Sequence, residues 1–251
     1  MKILITSGGT TEPIDSVRGI TNHSTGKLGR ELAEIFLKNG ASVDFITTKH
    51  AVKPATTTNL ALHVIQTTRE LEEKIKDLLQ NNRYTAVIHA MAVSDYRVKS
   101  TLERSEFASI LSENLQKSKD ISQIERTLET LATDNSKNKK ISSNAEMLVV
   151  TLEKTPKIIQ MIKQIQPNTL LVGFKLLVDV PREELLRVGL ENLKKNNADF
   201  VLANDLTKIT NDTHYGMLIE NEKNLTEVNT KKEIAEIIFK KIKERGEYYE
   251  K

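Results

Sequence analysis

The chain contains no cysteine. That excludes a disulfide framework, a cysteine nucleophile and any thiolate metal site, and it fits a reducing cytoplasm. Aromatic residues are scarce, at 4%, too few for the base-stacking clusters of RNA-binding modules. Neither sign of charge dominates: 37 Lys and Arg against 34 Asp and Glu leave a net charge of +3. So small an excess gives no electrostatic footprint for nucleic acid, although a small basic site for an anionic metabolite needs no more. Long hydrophobic runs are missing too. The opening MKILITSGG meets glycine too early to be a signal peptide or a membrane span. We therefore expect a cytoplasmic protein with neither a membrane nor a nucleic acid as partner.

What is present suits an ordinary folded domain. The 251 residues are 38% hydrophobic and 28% charged, enough apolar material for a real core. Lys2 to Thr6 (KILIT) reads as a β-branched strand, followed by a polar loop through Gly26. From Lys27 the apolar residues Leu28, Leu32, Ile35 and Phe36 fall at helical spacing, with Gly40 as the residue that ends the helix. Ser42 to Thr47 and Leu62 to Ile65 read as strands, Thr68 to Leu79 as a helix and Thr85 to His89 as a fourth strand. Residues 100 to 135 break the pattern. They are polar and charged, with an amphipathic helical pattern at Ile121 to Leu131. Met147 to Leu152 is β-rich, and Pro156 to Ile165 reads as a helix with proline at its first position. Leu170 to Phe174 and Phe200 to Ala203 are strands separated by a helix at Pro181 to Lys195. Gly216 to Ile219 is a candidate edge strand, and a last helix runs from Lys231 to Lys243. The alternation predicts an α/β fold: a Rossmann-like, three-layer parallel sheet with helices on both faces. With no internal repeat and no low-complexity linker, the preferred organisation is a single domain over 1–251, with an arm at about 100–140.

The loop after the first strand is unusual. Gly8 and Gly9 permit a tight turn directly after the strand, and Ser24, Thr25 and Gly26 sit where the helix begins. Backbone N–H groups and the helix dipole favour an anion there. A dinucleotide enzyme does this with a compact G-x-G-x-x-G turn, which is absent here. The long loop suits a small phosphorylated substrate; the alternative is a surface loop in which Ser24 caps the helix.

This loop, GGTTEPIDSVRGITNHSTGKLG, resembles the N-terminal motif of phosphopantothenate–cysteine ligases, the second half of the flavoprotein-linked coenzyme A enzymes. Four further stretches agree in order. AMAVSDYRV from Ala90 is similar to the family's AAVSDF or AAVADY segment, and KISS at Lys140 to Ser143 to its lysine motif. LVGFK at Leu171 to Lys175 is similar to its GFK or GFA strand, and LANDL at Leu202 to Leu206 to its AND turn. No flavin-decarboxylase half accompanies them, so the expectation is a stand-alone ligase. The resemblance implies a two-step reaction. The carboxylate of 4′-phosphopantothenate attacks the α-phosphate of CTP or ATP, giving an acyl-nucleotide and pyrophosphate. The amine of L-cysteine then displaces the nucleotide. Mg²⁺ would accompany the triphosphate; its protein ligands, if any, are unknown from sequence. A homodimer is expected as well, since in the family the segment corresponding to Ser100–Lys139 helps to dimerise the protein and close the site.

The resemblance also distributes roles. Lys140 becomes the charge stabiliser for the nucleotide phosphate and the developing acyl phosphate; otherwise it is one more solvated lysine beside Lys137 and Lys139. Asn22 is placed against the acyl intermediate, since an amide donates and accepts without charge; otherwise it satisfies turn backbone. Together these are the two catalytic candidates. His23, Arg18 and Ala92 join Asn22 as substrate-binding candidates, with His23 a loop or dimer-contact residue rather than a base. The nucleotide-binding candidates are Gly8, Gly9, Ser24, Gly26, His89, Ala90, Met91, Asp95, Lys140, Phe174, Lys175 and, at a spacing that differs from the family's, Lys195 with Lys194. Asp95 would contact ribose or base, or else simply cap a turn. Phe174 would pack on the base, Lys175 would add charge near the phosphates, and Asn204 would support a turn beneath the site. Two departures, Ser142 and Ser143 in place of further lysines and Lys175 after Gly173-Phe174, look more like the eukaryotic-type ligase, which can use ATP.

Two other functions compete. A nicotinamide-dependent reductase would need the compact glycine turn and an acidic residue ending the second strand, where the sequence offers Asp44. A non-catalytic nucleotide-binding regulator would keep Asp95 and Phe174 without needing Asn22 or Lys140. Both leave five ordered motifs unexplained.

Overall fold

The computed structural model describes residues 1–117, 120–130 and 146–249. In chain order the elements begin with β1 (Lys2–Thr6), β2 (Thr11–Pro13), β3 (Gly19–Thr21), α1 (Lys27–Lys38), β4 (Ser42–Thr48), β5 (Leu60–Ile65), α2 (Thr68–Asn81) and β6 (Ala86–His89). Next come β7 (Tyr96–Glu103), α3 (Arg104–Lys117), α4 (Ile121–Thr130) and β8 (Leu148–Lys154). The chain closes with α5 (Ile158–Ile165), β9 (Leu170–Leu177), α6 (Arg182–Lys195), β10 (Phe200–Ile209), β11 (His214–Ile219), β12 (Leu225–Val228) and α7 (Lys231–Tyr249). These elements form two compact units. One takes residues 1–10, 23–93 and 157–251; the other takes 11–22 and 94–156.

The first unit is built on an eight-stranded sheet in the order β12-β11-β10-β9-β6-β1-β4-β5. From β10 to β5 every pairing is parallel, and those six strands follow the order of a doubly wound, Rossmann-like sheet. Strands β11 and β12 add an antiparallel hairpin at one edge. The inner parallel strands β1, β6 and β9 are nearly continuous apolar runs because helices cover both faces, whereas edge strand β5 is largely exposed. Alternation along β1 divides the core. Ile3 and Ile5 pack with Leu32 and Phe36 of α1 and with Ile234, Ile238 and Ile242 of α7. Leu4 faces the other way, toward Leu71, Ile75 and Leu79 of α2 and Ile158 and Ile162 of α5. Helix α6 covers that second face further along, where Leu185 meets Ala203, Met217 and Ile219. Between α1 and α7 the rings of Phe36 and Phe239 meet edge to face, 5.2 Å apart.

The strong elements lie where the sequence puts them, and the differences have physical causes. The antiparallel strand read as an edge is interior, because β12, a short polar strand, pairs outside it. Strand β10 runs six residues past Ala203, since its polar end LTKI still pairs with β11 at Ile209↔His214 after a register shift. Helix α5 starts at Ile158 with Lys157 as its N-cap, so Pro156 precedes the helix rather than opening it.

In the second unit, β7 and β8 pair antiparallel from Tyr96↔Lys154 to Glu103↔Leu148, with an irregularity between Val98 and Ser100. Arg97 and Glu153 stand opposite each other and form an ion pair at 2.6 Å. The unit also holds α3, α4 and a small β2–β3 hairpin, in a loop whose polarity concealed it. Asp15 organises the hairpin end: Oδ1 accepts from the backbone N–H of Val17 and Arg18, and Oδ2 accepts from the Arg18 guanidinium at 2.6 and 3.0 Å.

Candidate functional site

In a doubly wound sheet the ligand crevice lies outside the carboxyl ends of the strands, where the strand order reverses. Here the reversal falls between β1 and β6, which lie side by side. Their continuations stay coupled: the Ala90 N–H donates to the Thr6 carbonyl (3.1 Å), Ala92 N–H to Gly8 (2.9 Å) and Thr10 N–H to Ala92 (3.1 Å). A cleft of about 320 Å³ opens at this end of the first unit. Its floor is Ser7, Ala90, Met91 and Ala92. One wall is the 23–29 segment, and the other carries Phe174, Leu176, Asn204 and Leu206 from the ends of β9 and β10.

Helix α1 points its start into this cleft. Its N-cap is Gly26, in the left-handed region at φ 75°, which brings no side-chain cap; beside it the Thr25 hydroxyl accepts from the Lys27 N–H at 3.4 Å. Ser24 lines the cleft without capping. The first turn holds no acidic residue, so its free N–H groups and dipole present a positive end to a ligand. Close approach of this helix to the β1 turn requires a missing side chain. A Cβ on Gly29 would lie 2.1 Å from the Ser7 hydroxyl. That hydroxyl instead donates to the Gly26 carbonyl at 3.3 Å.

On the opposite wall the Asn204 amide donates to Nε2 of His214 at 2.9 Å. His214 is buried, and burial together with the nearby Lys231 ammonium pushes its pKa down to about 4. Lys231 opens α7 and is itself lowered by burial and by the like charge of Lys27. The α7 start is fastened by a reciprocal cap: Thr230 accepts from the Glu233 N–H and Glu233 from the Asn229 N–H. Through the Asn229 carbonyl, which accepts from the His214 N–H at 2.7 Å, this cap also fixes the start of β11.

The family model of the DNA/pantothenate metabolism flavoprotein C-terminal domain matches residues 1–127 and 130–245. The chain belongs to that family. Among curated proteins it is 32% identical over 243 residues to the coenzyme A biosynthesis bifunctional protein CoaBC of Thermococcus kodakarensis, covering 96% of this chain and 50% of that protein. With the CoaBC protein of Methanocaldococcus jannaschii it shares 29% over 244 residues, again 96% and 50%. The chain thus spans about half the length of these curated relatives. Among solved structures, the DNA/pantothenate metabolism flavoprotein from Streptococcus pneumoniae matches with TM-score 0.83 and 43% identity, over 98% of this chain and 99% of that one. A Cab2 mutant in complex with phosphopantothenate-cysteine shares the fold, with TM-score 0.70 and 20% identity, over 99% and 87%.

Of the residues singled out from sequence, the cleft gathers His23, Ser24, Gly26, Ala90, Met91, Ala92 and Phe174. Gly8 and Gly9 form the turn under it, with Gly9 bridged to Ala92. His89 does not reach the cleft; its ring is packed in the sheet against Thr6. Lys175 follows Phe174 on β9 and so points to the other face of the strand, whereas Phe174 and Leu176 both line the cleft. Lys195, at the end of α6, lines a separate depression with Lys163, Asn196 and Asn197. Asn22, Arg18 and Asp95 belong to the second unit; Arg18 lies on Asp15, and the Asp95 carbonyl accepts from the Thr155 N–H at 3.0 Å. Lys140, with Lys137, Lys139, Ser142 and Ser143, lies outside the described residues. Asn204, expected beneath the site, lines the wall itself. The sequence reading missed His214 and Lys231 as cleft residues, and gave no role to Lys27 although it stands in the quoted loop motif. Only the β10–β11 pairing and the start of α7 reveal the first two, and neither leaves a local motif.

Asp44 does not stand where a reductase needs its acid. It lies near the amino end of β4, buried, bound to His63 (2.8 Å), Tyr84 (2.9 Å) and Lys2 (3.3 Å). Burial raises its pKa, but hydrogen bonds from His63 and Tyr84 and the Lys2 charge outweigh this, so the carboxyl is held below its ordinary range. It is a structural carboxylate at the end of the sheet away from the cleft.

Proposed function

We propose that this chain is a phosphopantothenate–cysteine ligase of coenzyme A biosynthesis, coupling 4′-phosphopantothenate to L-cysteine. The observation that carries the reading is the uncapped start of α1 at the switch point of the sheet, reached through a long loop instead of a compact glycine turn, in a chain of this family. A dinucleotide phosphate bridge needs the compact turn; a small phosphorylated acid and a nucleoside triphosphate do not. Phosphopantothenate-cysteine, the compound bound to the Cab2 mutant, is the product such a ligase would make.

In this reading the triphosphate of CTP or ATP lies at Ser24, Thr25 and Gly26 in the cleft, and Phe174 packs on the base. The substrate carboxylate attacks the α-phosphorus and pyrophosphate leaves. The cysteine amine then attacks the acyl carbon and the nucleoside monophosphate departs. Backbone N–H groups at the start of α1 stabilise charge developing on phosphate oxygens. The apolar wall of Phe174, Leu176 and Leu206 limits water around an acyl-nucleotide that would otherwise hydrolyse. Asn22 and Lys140 keep the roles the family resemblance gives them: the amide holds the acyl intermediate, and the ammonium offsets charge as it forms. Among the described residues no three His, Asp or Glu side chains gather around a point able to hold a metal. In the proposed reaction Mg²⁺ would arrive with the triphosphate, held mainly by phosphate and water. A homodimer and a cytoplasmic setting belong to the same proposal; among the described residues no helix is long and apolar enough to cross a membrane.

Pyrophosphate release with CTP, ATP, UTP and GTP in parallel, with and without 4′-phosphopantothenate and cysteine, tests the reading. Release that needs the acid, and product that needs cysteine, is the expected result. Absence of release with all four nucleotides would remove it.

A further inference from the structure

One buried group in the cleft has no partner. The Nδ1 atom of His214 makes no hydrogen bond among the described residues, although the ring is buried, at 6% relative exposure, and lines the cleft wall. An orphaned buried polar atom costs about 1–3 kcal/mol, so it marks either strain or a missing ligand. The other ring nitrogen fixes what this one is. Nε2 accepts from the Asn204 amide, which places the single proton of the neutral ring on Nδ1. His214 therefore offers a donor, and its partner must be an acceptor.

The neighbours say which kind of acceptor. Lys231 and Lys27 line the same cleft. The Lys231 ammonium reaches the Thr210 carbonyl at 3.3 Å, with Asp212 and Glu31 as the carboxylates within its field. Two ammonium groups that disfavour each other are relieved by an anion between them. A third cation in place of the imidazole would add to the repulsion; a neutral N–H donor does not.

We propose that His214, oriented by Asn204 and flanked by Lys231 and Lys27, donates its Nδ1–H to an anionic phosphate oxygen and forms a phosphoryl-binding subsite of the cleft. The proposal deepens the ligase reading and rests on it for the choice of phosphate. Two sources carry that chemistry: the polyphosphate of the nucleotide and the phosphate ester of 4′-phosphopantothenate. Burial supports the neutral ring, which keeps its N–H without charge down to about pH 4.

Calorimetric titration of the whole chain with inorganic pyrophosphate, CTP, ATP and 4′-phosphopantothenate separates the sources. His214→Phe keeps the bulk and removes the donor. A lost hydrogen bond to a charged group should weaken the phosphate that His214 reads by about 10- to 100-fold and leave the other source unchanged. His214→Asn, which returns an N–H near the Nδ1 position, should recover part of the loss. If neither variant melts cooperatively, Lys231→Met should weaken the same ligand. The ¹⁵N shifts of His214 give an independent reading: a neutral ring protonated at Nδ1, shifting on ligand addition. A ring protonated at Nε2 overturns the proposal, as does wild-type affinity for all four ligands in His214→Phe. If wild type turns over normally and the variants bind normally, the subsite alone falls. If pyrophosphate binding is lost in His214→Phe while wild type shows no turnover, the subsite stands and the ligase reading falls.

Discussion

Nδ1 of His89 lies 2.9 Å from the Thr6 hydroxyl, across the seam where β1 and β6 run side by side. The same hydroxyl accepts from the Met91 N–H at 3.3 Å. Thr6 therefore ties the His89 ring and the segment that floors the cleft to one hydroxyl. The ring is buried, and burial lowers its pKa to about 4. Below about 6.5 the unfolded chain binds a proton there that the folded chain refuses until about pH 4. Stability must therefore fall as pH is lowered through that window, by up to about 1.4 kcal/mol per pH unit for this group. His214 adds a share of the same sign. Urea unfolding between pH 4.5 and 7.5 should show the decline, and His89→Asn, which can still meet Thr6, should make it shallower. An unchanged slope in that variant would assign the acid sensitivity elsewhere.

Gly29→Ala forces a methyl group to within 2.1 Å of the Ser7 hydroxyl and 2.4 Å of its Cβ. Helix α1 must move away from the β1 turn. The expected cost is about 1–3 kcal/mol, the usual range for overpacking, with a weaker nucleotide affinity because the helix start moves with it. Thermal melting and nucleotide titration of the one variant read both effects. Unchanged affinity beside lowered stability would separate the packing from the site.

Asp44→Asn should lower stability and leave nucleotide affinity alone. The change leaves Lys2, His63 and Tyr84 facing a neutral amide, at a cost of about 2 kcal/mol for a buried charged partner. Asp44 lies at the amino end of the sheet, so KM for nucleotide should not change. Denaturation curves and steady-state kinetics together decide this, and a raised KM would argue that the two ends of the sheet are coupled.

Asn22→Ala should let the acyl-nucleotide accumulate, because the proposed function assigns the amide to the intermediate. Lys140→Ala should slow the first step. Single-turnover pyrophosphate release distinguishes them: normal release in Asn22→Ala and slowed release in Lys140→Ala are expected. Normal steady-state turnover in Asn22→Ala removes its role.

Much of the first unit was legible in the sequence because its elements announce themselves over short ranges. Leu28, Leu32 and Phe36 trace the buried face of α1, and the apolar runs of β1, β6 and β9 match strands covered on both sides. The floor residues Ala90, Met91 and Ala92 were legible because ligand crevices follow strand ends, and Ser24, Gly26 and Phe174 because their motifs resemble a family. His214 and Lys231 were not, since what brings them to Asn204 is a bulged antiparallel pairing between residues whose spacing carries no period. His89 misled for a related reason. A strand's last residue looks available in sequence, but register with Thr6 turns its ring inward. The β2–β3 hairpin escaped because a three-residue strand lacks a pattern to detect, and a buried carboxylate such as Asp15 reads locally as one more polar loop residue.

The bare start of α1 makes occupancy and rigidity one quantity. Helices that begin with serine or aspartate carry their own acceptor and keep it whether or not anything binds; this one, begun by a glycine, would in the proposed reading take most of its acceptors from its visitor. If phosphate settles there as proposed, it completes the first helical turn, so the filled protein should resist heat more than the bare one in proportion to the logarithm of ligand concentration, and amide exchange in residues 26–30 should slow before it slows anywhere else.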